Sequence, residues 1–159
     1  MTPSPSPSRS LPRLLAGLLL VLLLGVPALA FPGRVEAALL HLEGPEPADL
    51  GVHAGSLSPC GAPAHCARAD WPIADPEAAL SALVPVLETT EGVRIVERQG
   101  RYLHATATSR LLGFVDDLEL LAQPGAGVLQ ARSSSRLGDS DLGVNGRRLA
   151  ALRRELPGS

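Results

Sequence analysis

Four parts of the chain show a clear pattern of hydrophobic and polar positions. Residues 14–26 are almost continuously apolar. From residue 75 apolar residues recur at helical spacing, and from about residue 93 the pattern changes to the alternation that is typical of strands. A final stretch, up to residue 156, returns to helical spacing. The order is therefore an apolar leader, a helix, a group of strands and a second helix.

The first helix has clear start signals. Asp75 is the expected N-cap, because its carboxylate can accept hydrogen bonds from the amides of the first turn, and Pro76 suits the first helical position. The apolar stripe consists of Leu80, Leu83, Val84 and Leu87. Pro85 predicts either a kink or an early end.

Four strands are predicted after this helix, in two hairpins. Strands 93–98 and 101–108 are joined by Gln99-Gly100, and strands 114–122 and 127–133 by a segment that contains Pro-Gly. The last helix is expected to begin between residues 141 and 145, with Leu149, Leu152 and Leu156 on one face. The predicted fold class is α+β: a four-stranded antiparallel meander sheet, covered on one face by an N-terminal and a C-terminal helix.

The N-terminus has the composition of an export signal. Arg9 and Arg13 precede the apolar run, and small residues at Ala28 and Ala30 predict cleavage after Ala30. As a helix the run would span only about 20 Å, less than the ~30 Å hydrocarbon core, which favours a cleaved signal over a membrane anchor. We expect a signal peptide at 1–30 and an exported, periplasmic or otherwise extracytoplasmic protein. An uncleaved, membrane-anchored form is the alternative.

The remaining chain divides into three parts. Residues 31–74 are rich in Pro and Gly and are interpreted as an extended lead-in, residues 75–156 as the folded domain, and residues 157–159 as a tail. Within the lead-in, Cys60 and Cys66 can close a small disulfide loop in an oxidising compartment. Free thiols, or a metal site with His53 and His65, are the alternatives, although the spacing matches no recognised zinc site.

Charge and composition argue against nucleic acid as a partner. Without residues 1–30 the chain has 12 Arg against 16 acidic residues, a formal charge of −4, and all its basic residues are Arg. Backbone binding to nucleic acid requires a concentrated positive field and aromatic stacking platforms, and the chain has only four aromatic residues. Nothing in the sequence indicates a cofactor or a metal. Membrane contact is expected only through an uncleaved signal segment.

Several segments resemble the DUF1499 family. They are YLHA at 102–105, FVDDLE at 114–119 and, above all, RSSSRLGDSDLGVN at 132–145. The resemblance extends from about residue 57 to residue 156. Around Cys60 and Cys66 similar proteins tend to have a Cys-Pro…Pro-Asn-Cys segment, and Gly61 and His65 depart from that pattern. It implies an exported or organelle-lumen domain of bacteria and plastids with no established activity, and therefore no catalytic residues to transfer.

The second hairpin predicts where these polar residues lie. If Gln123 faces Val128, Glu119 faces Arg132 on one side of the sheet. Asp116, Ser133 and Ser135 then lie at the polar end of the other, apolar side. A one-residue slip would reverse this assignment.

Two interpretations of the polar cluster compete. In the structural one, Asp116 or Asp117 pairs with Arg132 or Arg136, and polar side chains cap the turn at 138–143. In the functional one, Arg132, Arg136 and the turn amides bind a carboxylate or phosphate near the start of the last helix. The candidate ligand-binding residues are His104, Asp116, Asp117, Arg132, Ser133, Ser135, Arg136, Asp139, Ser140, Asp141 and Asn145.

The predicted function is that of a non-enzymatic cell-envelope module that binds a small anionic ligand or an envelope protein. One alternative is an enzyme that uses the same Asp, Arg, Ser and His cluster, with Ser133 or Ser135, His104 and Asp116 as a hydrolytic set. No Gly-x-Ser-x-Gly motif supports it, and no catalytic residue is assigned. The other alternative is a purely structural envelope factor. A pocket at the corner between the last strand and the last helix would favour a ligand-binding or enzymatic role.

Overall fold

The structure is a computed structural model that describes residues 42–156. The expected signal at 1–30, the first part of the lead-in and the tail at 157–159 lie outside the described residues. Two helices, seven strands and one short 3₁₀ turn make up this part of the chain. In chain order they are β1 Val52–His53, β2 Ser56–Leu57, β3 Cys66–Pro72, α1 Pro76–Thr89, β4 Val93–Gln99, β5 Tyr102–Thr108, β6 Val115–Gln123, the 3₁₀ turn Pro124–Ala126, β7 Val128–Ser135 and α2 Val144–Arg154.

The main sheet has five antiparallel strands in the order β3-β7-β6-β5-β4. The α+β class is therefore confirmed, but the prediction of four strands is corrected, because β3 pairs with β7 along its whole length. In β3 the residues Ala67, Ala69 and Trp71 alternate with Arg68 and Asp70. Alanine packs weakly in strands, and Pro- and Gly-rich segments flank β3, so the alternation is hard to recognise in the sequence.

The hydrophobic core lies between the sheet and the two helices. Leucines of α1 and α2 pack on the inward-facing residues of β5, β6 and β7, and Leu83, Leu103, Leu118, Leu120 and Leu129 are completely buried. The register of β6 and β7 is the predicted one, with Gln123 opposite Val128 and Glu119 opposite Arg132. Both faces of this hairpin are therefore as the sequence predicts.

The helix boundaries follow their start signals. The Asp75 carboxylate accepts a hydrogen bond of 2.9 Å from the Ala78 amide, which is N-cap geometry. The helix continues beyond Pro85 to Thr89, so the early end is not observed. The second helix begins at Val144, inside the predicted interval. None of the helices within residues 42–156 is both long enough and apolar enough to cross a membrane.

The first hairpin differs from the prediction by one residue. Gln99 is still in β4 and pairs with Tyr102, so the two loop residues are Gly100 and Arg101. The glycine has a φ of 56°, in the left-handed region that a tight hairpin loop requires. A register shift between Ile95 and Glu97 accompanies this change.

Residues 42–58, which we call the strap, cross the sheet face opposite the helices. The strap contains the small β1–β2 hairpin, and the Leu57 amide donates a 3.0 Å hydrogen bond to the side chain of Gln130 in β7. A Cβ atom on Gly44 would lie 2.7 Å from the carbonyl oxygen of Arg136, so only glycine allows this close approach. After the strap, the predicted Cys60–Cys66 disulfide is present and joins this segment to the start of β3.

Candidate functional site

The sheet face beneath the strap is polar and buried. We call it the polar face; it consists of Tyr102, His104, Asp117, Glu119, Arg132 and Ser134. Glu119 is the centre of one network, accepting hydrogen bonds from Arg132 Nη1 at 2.7 Å, Tyr102 at 2.9 Å and the Gly51 amide of the strap at 2.7 Å. Arg132 Nη2 also pairs with Asp49 of the strap. Burial, reinforced by Glu119, raises the pKa of Tyr102 well above its usual value.

A second network on the polar face is centred on Asp117. Its carboxylate contacts His104 Nε2 at 2.8 Å and receives two hydrogen bonds from Arg136, of 2.8 and 2.9 Å. Burial by itself would raise the pKa of Asp117, but the hydrogen bonds from His104 and Arg136 outweigh it and lower that pKa. Arg136 Nη1 contacts Glu43 of the strap at 3.0 Å. The hydrogen bond with Asp117 raises the pKa of Arg136.

Both arginines of the predicted anion site therefore already have carboxylate partners. Arg132 lies between Glu119 and Asp49, and Arg136 between Asp117 and Glu43. The pairing of Asp117 with Arg136 is one of those predicted by the structural interpretation. Buried charges persist when they are paired in this way. The networks join the strap to the sheet, so their geometry is suited to a structural role.

The helix side of the same strands has its own polar group, centred on Asn145. The Asn145 side chain is completely buried; its oxygen accepts from Ser133 at 2.6 Å and its nitrogen donates to Ser135 at 2.9 Å. Arg148 donates to Ser133 and Asn145 and pairs with Asp116 at 2.8 Å. Asp116 therefore pairs with Arg148, so of the two aspartates named in the structural interpretation it is Asp117 that pairs with Arg136. These contacts hold the start of α2 against the end of β7.

The turn between β7 and α2 is capped by its own side chains. The Asp141 carboxylate accepts from the Gly143 amide at 2.7 Å and from the Asn145 amide at 2.8 Å. Partial burial raises the pKa of Asp141, but these hydrogen bonds outweigh that effect and lower it. Ser140 Oγ accepts from the Leu142 amide at 3.3 Å, and Asp139 is exposed. Because Asp141 occupies amides at the start of α2, they are not open to an external anion.

The corner between β7 and α2 contains a cleft of about 340 Å³. We call it the corner cleft; its lining includes Leu111, Leu112, Phe114, Leu137, Leu142 and Val144, together with Asp116, Ser135 and Asp141. Seven large apolar side chains are exposed among the described residues, and five of them line this cleft. Leu142 is the most exposed of them, at 84%. The strap begins nearby, since the Leu42 amide donates to the carbonyl of Gly113.

Comparison with known proteins gives one match. A family model described as "Protein of unknown function (DUF1499)" matches residues 52–156. The chain belongs to the DUF1499 family. No curated protein and no solved structure matches it.

The DUF1499 match includes the five-stranded sheet, both helices and the whole corner cleft. It begins at residue 52, so Glu43 and Asp49, the strap carboxylates that pair with Arg136 and Arg132, precede the matched segment. The polar face is thus closed partly by residues outside the matched DUF1499 segment.

The structure divides most of the predicted ligand-binding residues between the two faces of the sheet. His104, Asp117, Arg132 and Arg136 lie on the strap side, whereas Asp116, Ser133, Ser135 and Asn145 lie on the helix side. A hydrolytic set of Ser133 or Ser135 with His104 and Asp116 is therefore not assembled, because His104 and the serines are on opposite faces. Both cysteines of the alternative metal set are in the disulfide, and residues 42–156 contain no group of three or more potential metal ligands.

The sequence did not reveal the apolar lining of the cleft. Leu137 and Leu142 lie in a turn rich in Gly, Asp and Ser, Leu111 and Leu112 lie in the β5–β6 loop, and Val144 is the first residue of α2. These leucines follow neither helical nor strand spacing, and this lack of periodicity is the signal that could have indicated them. Large apolar residues in polar turns are exposed unless another element covers them.

Proposed function

We propose that this DUF1499 protein is an exported, non-enzymatic binding module whose corner cleft holds the apolar part of a small, uncharged ligand. The observation that carries the proposal is the concentration of exposed apolar side chains in one cleft. Contiguous apolar surface of this kind is typical of binding sites. The volume of about 340 Å³ lies within the range of about 300–1,000 Å³ found for small-molecule sites.

The charges around the cleft favour an uncharged ligand over an anion. Asp116 and Asp141 are the charged residues of its lining, and both are acidic. Ser109, Ser135 and Ser140 add hydroxyl groups that could orient a polar end. The small anionic ligand predicted from Arg132 and Arg136 remains a prediction, but the carboxylates that already pair with these arginines give it no support here.

Export is supported by two features. The N-terminal sequence has the polar, apolar and small-residue regions of a signal peptide, and disulfides such as Cys60–Cys66 persist in oxidising compartments. N-terminal sequencing of the mature protein tests this part of the proposal. A first residue of Phe31 is expected, and a start at Met1 or Thr2 would contradict cleavage.

Binding in the cleft is tested by titration with the neutral apolar fluorophore N-phenyl-1-naphthylamine. Wild type is compared with the double variant Leu112→Ser/Leu142→Ser, and Val96→Ser is the matched control because Val96 is an exposed apolar residue outside the cleft. Since each lost CH₂ contact contributes about 0.8 kcal/mol when fully buried, the double variant should bind about tenfold more weakly or worse. Equal affinities for the double variant and the Val96→Ser control would refute the proposal.

A protein partner is the second candidate, because Leu142 is 84% exposed and so protrudes from the cleft. Native mass spectrometry of the protein purified from its own cell envelope separates the two candidates. A stoichiometric small-molecule adduct supports the ligand, and a complex with another protein supports the partner.

A further inference from the structure

A second groove lies between α1 and the C-terminal end of α2 and shares no lining residue with the corner cleft. Its volume is about 660 Å³, and it is lined by residues 72–75, by Ala78, Ala79 and Ala82 of α1, and by Arg153 of α2. The alanines create the space, because their side chains end at Cβ. Apart from Asp75 and Arg153, the lining residues are apolar. A mainly apolar pocket with few polar groups is the usual form of a ligand site.

Arg153 has a guanidinium nitrogen that the rest of the described chain leaves unsatisfied. Its Nη1 is screened from solvent and has no hydrogen-bond partner within residues 42–156. Burying a charged donor without an acceptor is unfavourable. Arg132, Arg136 and Arg148, which pair with residues of the sheet, all contact carboxylates. Arg153 differs from them because it forms no ion pair with an acidic residue within residues 42–156.

Neither the dipole of α2 nor the nearby Asp75 explains why Arg153 Nη1 is buried without a hydrogen-bond acceptor. A cation in the last turn of α2 interacts favourably with the helix dipole, but that interaction does not require Nη1 to be screened from water. Asp75 lines the same groove without forming an ion pair with Arg153, and its carboxylate is engaged in capping α1. The groove therefore combines apolar walls with one cation in need of an acceptor.

We infer that this groove binds a small amphipathic anion, with a carboxylate head on Arg153 and a short apolar tail along the alanines of α1. A singly charged carboxylate fits better than a doubly charged phosphate, because the groove offers one guanidinium and the carboxylate of Asp75, which lines the same groove, would repel a second negative charge. Arg is well suited to this role, since its planar fork of donors matches a carboxylate. This site is separate from the corner cleft and does not depend on what the cleft binds.

The inference is tested by isothermal titration of the full disulfide-bonded protein with decanoate and with decyltrimethylammonium, which pairs a similar tail with the opposite charge. Decanoate should bind about tenfold more tightly or better, since a charge-assisted hydrogen bond contributes that much. Arg153→Gln should abolish the preference, whereas Arg154→Gln, a substitution of the exposed neighbouring arginine, should retain it. Ala82→Leu should weaken binding of both compounds, because a leucine at this exposed helical position fills the groove.

Several outcomes would overturn the inference. They are equal binding of the two amphiphiles to wild type, a preference that survives in Arg153→Gln, and an equal loss in Arg154→Gln. Any of them would mean that Arg153 does not receive a carboxylate in this groove. If Arg153→Gln fails to fold by circular dichroism, Ala82→Leu carries the test, and unchanged decanoate affinity in that variant then overturns the inference. Leu112→Ser/Leu142→Ser should leave decanoate binding intact, which distinguishes failure at this groove from failure at the corner cleft.

Discussion

The polar face and the corner cleft differ in whether their side chains have partners within the described residues. The polar face contains charged groups, and the strap and the sheet supply partners for most of them: Arg132 and Arg136 each contact two carboxylates. The corner cleft contains apolar side chains that ought to be buried, yet Leu111 and Leu142 are mostly exposed. On the polar face both arginines are paired with carboxylates, although Arg132 Nε and Ser134 Oγ have no hydrogen-bond partner within residues 42–156. In the corner cleft the leucines remain exposed to solvent.

This difference shows where to look for function. Charged residues in a conspicuous motif suggest a binding site, but here Arg132 and Arg136 form ion pairs that join the strap to the sheet. Exposed leucines in a turn suggest nothing in the sequence, but their apolar surface lacks a partner among the described residues. The region without internal partners is the better candidate for binding something external.

The largest effect is expected from breaking the Glu119 network. Arg132→Met should lower the free energy of unfolding by about 3–5 kcal/mol, because it leaves the buried Glu119 carboxylate without its cation. Arg68→Met is the control, since Arg68 lies on the neighbouring strand and its pair with Asp70 is partly exposed; a change of about 0–1 kcal/mol is expected. Urea unfolding measures both. Equal losses would mean that the polar face is not a structural network.

A smaller loss is expected on the helix side. Asn145→Ala should destabilise by about 1–3 kcal/mol, because it removes buried hydrogen bonds to Ser133, Ser135 and the His65 carbonyl. Asp139→Ala, in the exposed turn just before α2, should change stability by less than about 0.5 kcal/mol. The same urea unfolding measures them, and similar values for the two variants would refute the anchoring role of Asn145.

The Asp117 network predicts a dependence of stability on acid. The pKa of Asp117 is lowered in the folded protein. The ionised carboxylate therefore stabilises the folded state above the unfolded-state pKa of about 3.9, and this stabilisation is lost as pH falls from there towards the folded-state pKa. Urea midpoints measured from about pH 6 to about pH 2 should fall more steeply in wild type than in Asp117→Asn. Asp70→Asn, at an exposed position, is the control and should keep the wild-type slope. Parallel slopes for wild type and Asp117→Asn would contradict the prediction.

The smallest effect on stability is expected in the corner cleft. Leu142→Ser should change the free energy of unfolding by less than about 0.5 kcal/mol, because Leu142 is 84% exposed and buries little apolar surface. Thermal or urea unfolding measures the change. A loss above about 2 kcal/mol, the range of buried leucines, would show that Leu142 belongs to the core and would remove it from the binding surface.

The sequence was informative wherever spacing and local chemistry determine structure. Asp75 and Pro76 marked the start of α1, and the second hairpin gave the correct register, which placed Glu119 opposite Arg132. Two cysteines separated by five residues were enough to predict the disulfide.

The missing parts of the prediction depend on contacts between distant segments. The pairing of β3 with β7 joins distant residues, from Pro72 opposite Val128 to Cys66 opposite Ser134, and no local signal encodes it. The same is true of Asp49 and Glu43, which reach the arginines of β7 and its following turn across more than 80 positions. The cleft was missed because its four leucines, Leu111, Leu112, Leu137 and Leu142, come from two loops that have no periodicity.

The most direct test of the contrast between the two regions is a methyl-labelled NMR titration of the mature protein with N-phenyl-1-naphthylamine. The account predicts that methyl signals of the corner cleft shift, namely those of Leu111, Leu112, Leu137, Leu142 and Val144. The signals of Leu57 of the strap and Leu121 of the sheet, which pack in one buried cluster, should stay unchanged. Shifts at Leu57 and Leu121 with none in the corner cleft would contradict it and would assign binding to the polar face.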